Sequence, residues 1–175
     1  GLVVEVGVGT CSLLPLLAKK GERTLGLDHS PSMIKLARET IDQQQLTGKV
    51  DVRLAEMNHL PCANASARTV VLNQVLHHAE QPVEVFREIA RVLEPEGALV
   101  VADLTRHGHD WARERLADQW LGFKEEELEK WLADTGMVLT EYLEVEAISG
   151  QQSVLLFKAV FHKHHSESLI QENRK

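Results

Sequence analysis

The sequence has only two cysteines, Cys11 and Cys62, in 175 residues, and neither stands in a Cys-x-x-Cys pair. A disulfide framework is therefore excluded, and reduced thiols in a cytosolic setting are the simpler reading. Aromatic residues make up only 5% and prolines number five. Apolar runs are short: the longest, around Leu13 to Ala18, falls far below the length needed to span a bilayer. No charged-then-apolar leader opens the chain. No basic cluster stands out against a net charge of −7, so this domain alone is a poor match for a phosphate backbone, and no direct nucleic-acid binding is expected of it. What is present, 43% hydrophobic and 26% charged residues, suits one globular domain with a substantial core.

Strand-like and helix-like segments alternate. Leu2 to Val6 is a β-branched apolar run, and a glycine turn leads from it into Ser12–Ala18, with Gly21 as a C-cap. Thr24 to Leu27 forms the second strand. Ser30-Pro31 has the cap and first-turn proline of a helix start, and Met33, Ile34, Ala37 and Ile41 follow at helical spacing. Further strands are expected at Val50–Leu54, Thr69–Leu72 and Ala98–Leu104, with a helix from Pro82 between the last two that carries Phe86, Ile89 and Leu93 on its inner face. Helices are expected over Asp110–Trp120 and Glu125–Thr135. Two closing strands, Met137–Glu146 and Ser153–Phe161, are joined through Ser149-Gly150 without a helix between them, as in an antiparallel hairpin. The pattern predicts an α/β fold with a mostly parallel sheet, ligands binding beyond the strands' carboxyl ends. Residues 1–161 form the domain and 162–175 a polar tail. A strand starting almost at Gly1 reads as the interior of a longer chain.

Glu5-x-Gly7-x-Gly9 sits where the first strand turns into the first helix, and Asp28 ends the second strand. Glycines there let a ligand approach the main chain, and the carboxylate can accept from two ribose hydroxyls. Nicotinamide and S-adenosylmethionine enzymes share this pairing. Two features favour the latter: Ser12 replaces the third glycine of a dinucleotide turn, and an acidic Glu5 suits a cationic ammonium group better than a diphosphate.

Together with Leu27-Asp28-His29-Ser30-Pro31-Ser32-Met33, Leu60-Pro61, Val75-Leu76-His77-His78 and Arg91–Gly97, the turn resembles that of the class I methyltransferases, in the ubiquinone/menaquinone-biosynthesis-like group (methyltransferase type 11). Asp103–His107, Trp111 and Ala117–Phe123 are similar to the methyltransferase half of ArsR-type regulator fusions, which would place a winged-helix segment upstream of Gly1. The resemblance implies a Rossmann-like fold with a seven-stranded sheet, helices on both faces, S-adenosyl-L-methionine as cofactor and a small-molecule methyl acceptor. It implies that Glu5, Gly7 and Gly9 hold the methionine moiety and Asp28 the ribose. His29 and Met33 would flank the adenine, Glu56 and Met57 would reach its polar edge, and Asn73 and Gln74 would lie beneath the sulfonium. Cys11 stands at the family's third glycine, Arg68 at an aspartate and Glu96 at a glycine, so a tighter turn or narrower pocket is expected. A non-catalytic adenosyl-sensing domain of a regulator and a nicotinamide-dependent oxidoreductase are the alternatives.

If the acceptor needs a base, His107 or His109 is preferred and His78 follows. His77 and His78 are set aside as a metal pair because neighbours on a helix point apart, and no metal is expected. Trp111, Trp120 and Trp131 read as core, with Trp120 also eligible to line the acceptor pocket.

Overall fold

The computed structural model describes residues 1–19, 23–146 and 152–162. Gly21, the Ser149-Gly150 turn, and His164 and His165 of the tail lie outside the described residues. Seven strands form one sheet: β1 (Leu2–Val6), β2 (Arg23–Asp28), β3 (Val50–Leu54), β4 (Ala67–Asn73), β5 (Leu93–Leu104), β6 (Met137–Val145) and β7 (Val154–Phe161). Their order is β3-β2-β1-β4-β5-β7-β6. The first five pair in parallel, and β7 runs antiparallel to both β5 and β6. The closing antiparallel pair is as expected and stands at the edge of the sheet, with β7 beside β5 and β6 outermost.

Burial follows from composition. β1 has only one residue that is not fully buried, as a central parallel strand of Val and Leu should. The helices are α1 (Leu14–Lys19), α2 (Pro31–Gln43), α3 (Pro82–Val92), α4 (Trp111–Leu116) and α5 (Glu125–Ala133). Helices α1 and α2 bury Leu14, Ile34, Ala37 and Ile41 against Val50 and Val52. Phe86 and Ile89 of α3 and Leu128 and Leu132 of α5 enter the larger cluster with Val4, Leu72, Leu99 and Phe157. Truncating a wholly buried side chain such as Phe86 typically costs about 3–5 kcal/mol. Pro31 and Pro82 each open their helix at a position with no amide bond to lose, and the Ser30 hydroxyl accepts from Met33 N at 3.4 Å.

Two boundaries differ from expectation. Leu93 belongs to β5, where it pairs with Ala67, rather than to the inner face of α3. The helix predicted over Asp110–Trp120 stops at Leu116, because Ala117 adopts a left-handed conformation (φ 59°) that ends it. Beyond it, Leu121–Phe123 runs back beside the end of β5: Phe123 N donates to Leu104 O and Arg106 N to Phe123 O, both at 3.0 Å. Gly122 permits this approach, since a Cβ there would lie 2.1 Å from Thr105 O. The departure from helix turns Asp118 inward, where it is 3% exposed.

Candidate active site

The glycine turn is tied to the tip of β2 by main-chain bonds. Gly7 N and Val8 N both donate to Leu27 O, at 2.7 and 2.9 Å. Asp28 follows, its Oδ2 accepting from Gly9 N and its Oδ1 from Ser30 N, each at 2.9 Å. One carboxylate thus fixes the turn and the start of α2, and each oxygen keeps a lone pair for a further donor. Gly7 and Gly9 have φ 77° and 49°. A Cβ on Gly7 would meet Val75 at 2.5 Å, whereas one on Gly9 would stand in open space. Cys11 also has positive φ, 64°, a backbone conformation that favours glycine. Its thiol is fully buried and pushed up to about 11 by burial and then by Glu5, so it fills space as an inert side chain.

Glu5 lies 1% exposed at the end of β1. It bonds the Leu14 amide at the start of α1, and its Oε2 has no partner. Burial raises its pKa to about 7 against the opposing Leu14 bond. A buried, orphaned carboxylate oxygen behind a glycine turn fits a ligand that carries an ammonium group. The donor set therefore suits an aminoacyl nucleoside such as S-adenosylmethionine.

A narrow slot of about 20 Å³ runs between Gly7, Asp28, His29, Glu56, Met57 and Val75. A cavity of about 690 Å³ shares His29, Glu56 and Met57 with it and extends past His78, Glu80, Glu84 and Leu116. Of the expected adenine contacts, His29, Glu56 and Met57 are brought to this slot. Met33, in the first turn of α2, and Asn73 and Gln74, at the end of β4, are not among its lining residues. Gln74 has φ 54° and its amide bonds Ala102 O, which bends the chain so that Val75 rather than Gln74 reaches the slot. Val75 was missed because only its contact with Gly7 marks it. Arg68 is exposed at a register shift at the amino end of β4, the opposite end of that strand from the turn.

A second group of polar side chains lies beyond β4 and β5. Asp103, wholly buried, accepts from Leu76 N (2.9 Å), Leu104 N (2.7 Å) and His77 Nδ1 (2.7 Å). His77 Nε2 and His78 Nδ1 each lie 3.7 Å from Asp118 Oδ1. Neither oxygen of Asp118 has a hydrogen-bond partner. The expectation that the two histidines point apart is corrected here. Leu76–His78 is a single 3₁₀ turn followed by the extended Ala79, and the rings come within 4.1 Å, centroid to centroid. Burial pulls the His77 pKa down, but the hydrogen bond and charge of Asp103, with Asp118 behind them, outweigh it and raise it. His78 is lowered by burial and by His77, so its ring is neutral at pH 7.

Of the three histidines expected to serve as a base, only His78 is among the residues lining the cavity. His107 is half-buried; its Nδ1 accepts from His109 N at 3.3 Å, which leaves the proton on Nε2 as a buried donor without a partner. Burial and then His109 lower its pKa. His109 is exposed and packs 6.1 Å from the Trp111 ring. Trp120 and Trp131 are core, crossing edge to face at 5.2 Å, and Trp120 Nε1 donates to Ala79 O; Trp111 is 51% exposed. Asp103 and Asp118 were not singled out as site residues. The available signal was a carboxylate set among apolar neighbours, Val101-Ala102-Asp103-Leu104 and Asp118 ahead of Trp120-Leu121.

An arsenite methyltransferase of Halobacterium salinarum is 32% identical over 107 residues, 59% of this chain and 27% of that protein. A demethylmenaquinone methyltransferase of Lactiplantibacillus plantarum is 32% identical over 105 residues, 60% of this chain and 44% of that one. The chain therefore spans less than half the length of these relatives. Among solved structures, geranyl diphosphate C-methyltransferase from Streptomyces coelicolor, in complex with S-adenosyl-L-homocysteine, superposes with TM-score 0.78 at 14% identity, covering 91% of this chain and 73% of that one. That likeness shows the fold. Residues 4–101 match the methyltransferase domain family, and the chain belongs to it.

Proposed function

We propose that the domain binds S-adenosylmethionine and transfers its methyl group to a small-molecule acceptor. The observation that carries this reading is the turn itself: Gly9 and Asp28 joined by a hydrogen bond, with the unpartnered Glu5 oxygen buried behind them. Glu5 would hold the ammonium and Asp28 the ribose, with Glu56 and Met57 at the adenine edge. The slot of about 20 Å³ is too small for an adenosine by itself, which would extend into the adjoining cavity past the shared His29, Glu56 and Met57.

The cofactor supplies an activated methyl with a good leaving group, and the protein's part is orientation and exclusion of water. The acceptor would occupy the cavity beside His78 and Glu80 and approach the methyl in line, within about 3–3.5 Å. A hydroxyl or weak carbon acid would need a proton acceptor, and His78 offers a neutral ring there. Among the described residues no helix is long and apolar enough to cross a membrane. Both cysteines are free thiols, which suits the cytosol.

Calorimetry with S-adenosylhomocysteine tests the reading. The parent domain binds, Asp28→Ala weakens binding by about a hundredfold or more, as for a lost charged hydrogen-bond pair, and His78→Ala leaves it unchanged while slowing turnover. Equal affinity in Asp28→Ala and the parent removes the proposal.

A further inference from the structure

We propose that His77, His78 and Asp118 form a binding site for one divalent ion of the Zn²⁺ type. The three ligand atoms, His77 Nε2, His78 Nδ1 and an Asp118 oxygen, all lie within 4.8 Å of one another, and both histidine-to-carboxylate separations are 3.7 Å. Bonds of about 2.0–2.2 Å in a tetrahedral site place neighbouring ligands roughly 3.3–3.6 Å apart; the two 3.7 Å separations lie just outside that range, and the two histidine nitrogens, within 4.8 Å of each other, would close toward it on binding.

Three further observations point the same way. Asp118 is buried, its side chain 1% exposed, and both oxygens lack a hydrogen-bond partner. An ionised carboxylate left so is costly unless a cation completes it. Asp103 accepts from His77 Nδ1 at 2.7 Å, which puts the proton on Nδ1 and presents the Nε2 lone pair, the usual carboxylate–histidine support of a metal ligand. Charge balance then favours a divalent ion: an imidazolium at His77 offsets one of the two buried carboxylates, a dication both.

The site is assembled by two backbone features rather than by one helix. The 3₁₀ turn of Leu76–His78 brings adjacent rings together, and the left-handed Ala117 sends Asp118 back toward them. The loop is held down by Gln119 N and Trp120 N, both donating to His77 O at 3.0 Å. Three protein ligands leave a fourth position for an exchangeable group. His78 also lines the large cavity, so that group comes from the acceptor side. Resting on the methyl-transfer reading, the ion would hold an oxygen, nitrogen or sulfur donor of the acceptor and ease its loss of a proton. Ligation uses the lone pair that His78 would need as a base, so with the ion bound His78 is a ligand and nothing else.

The experiment uses the whole chain with His162, His164 and His165 changed to Gln, which removes the tail histidines as rival ligands. After chelator treatment, Co²⁺ is titrated with visible absorption as the readout, and Zn²⁺ by calorimetry and thermal unfolding. Expected are one ion per chain, the absorption of a tetrahedral cobalt site, and a Tm raised by Zn²⁺. Asp118→Asn and His78→Gln should each lose about a hundredfold or more in affinity, Asp103→Asn about tenfold or more, and the exposed His59→Gln nothing. Asp118→Asn keeps the side chain's size and removes a carboxylate without hydrogen-bond partners, and its thermal unfolding without metal is measured alongside, so lost affinity is not confused with lost fold. Binding that persists in Asp118→Asn, or that occurs only with the tail histidines intact, overturns the proposal. So does the lack of any Co²⁺ absorption, which would leave His77 as an imidazolium between two aspartates. S-adenosylhomocysteine binding by the stripped chain is scored separately, so failure of the ion site and failure of the methyl-transfer reading are distinguishable.

Discussion

The turn at the ends of β1 and β2 and the histidine–aspartate group beyond β4 and β5 both lie at the carboxyl side of the sheet, but they are built on different principles. In the turn, neighbouring main-chain amides do the work: Gly7, Val8 and Gly9 donate to Leu27 O and to Asp28, all within a strand–helix–strand unit. In the second group a side chain reaches partners 26 and 27 residues away in the chain, Asp103 accepting from the His77 ring and from the Leu76 amide. Its remaining oxygens, on Asp118, are unpartnered. A site of backbone amides is bound to its glycines and tolerates little change in φ. A site of side chains depends on the loop that delivers them.

The sharpest way to break that comparison is at Gly122, which holds the Asp118 loop against β5. A Cβ would sit 2.1 Å from Thr105 O at φ 73°, so Gly122→Ala should destabilise by about 3 kcal/mol or more in urea unfolding. Gly108→Ala, which meets nothing within 4 Å, should stay within about 0.5 kcal/mol. No difference between the two would show that the loop is not anchored as described.

Within the turn, Gly7→Ala should cost about 2 kcal/mol, since it adds a 2.5 Å contact with Val75 to the left-handed φ. Gly9→Ala should cost about 1 kcal/mol, from φ alone. Reversal of that order, measured by chemical unfolding, would mean that the slot, and not Val75, is what Gly7 protects.

Protonation sharpens the contrast further. Glu5 titrates at about 7 because burial favours its neutral form. A raised carboxyl pKa contributes stability below the unfolded value near 4.5, and that contribution is lost as pH rises through about 7. Ammonium binding needs the ionised form, so the linkage for a ligand runs the other way. S-adenosylhomocysteine affinity should fall about tenfold between pH 8 and pH 6, and Glu5→Gln should flatten the profile. An unchanged slope in that variant would place the titrating group elsewhere.

The smallest effect lies outside both regions. Glu96 has φ 62° and an exposed contact with His162. Glu96→Gly should therefore raise stability by about 0.5–1 kcal/mol in thermal unfolding, relief of the left-handed backbone exceeding the lost surface pair.

Legibility followed the same division. The parallel sheet, its closing antiparallel pair and the turn were readable because they are written at fixed short spacing: alternation of period two and 3.6, glycines two apart, an acid at a strand's end. His29, Glu56 and Met57, close to those signals, line the slot, whereas Met33, expected beside the adenine, and Asn73 and Gln74, expected beneath the sulfonium, are not among its lining residues. Gln74 is turned by its own positive φ, which a sequence does not announce in a residue other than glycine or asparagine. The same holds for Ala117, whose left-handed turn cut short a helix that its sequence favours.

What the sequence determined by itself was therefore the scaffold and the local turn, since hydrophobic period and glycine spacing act within a few residues. What only the tertiary structure decided was which polar groups meet. His77, Asp103 and Asp118 are brought together by parallel strand pairing and by a loop folding back on β5, and that meeting, not proximity in sequence, is what raises the His77 pKa against its burial.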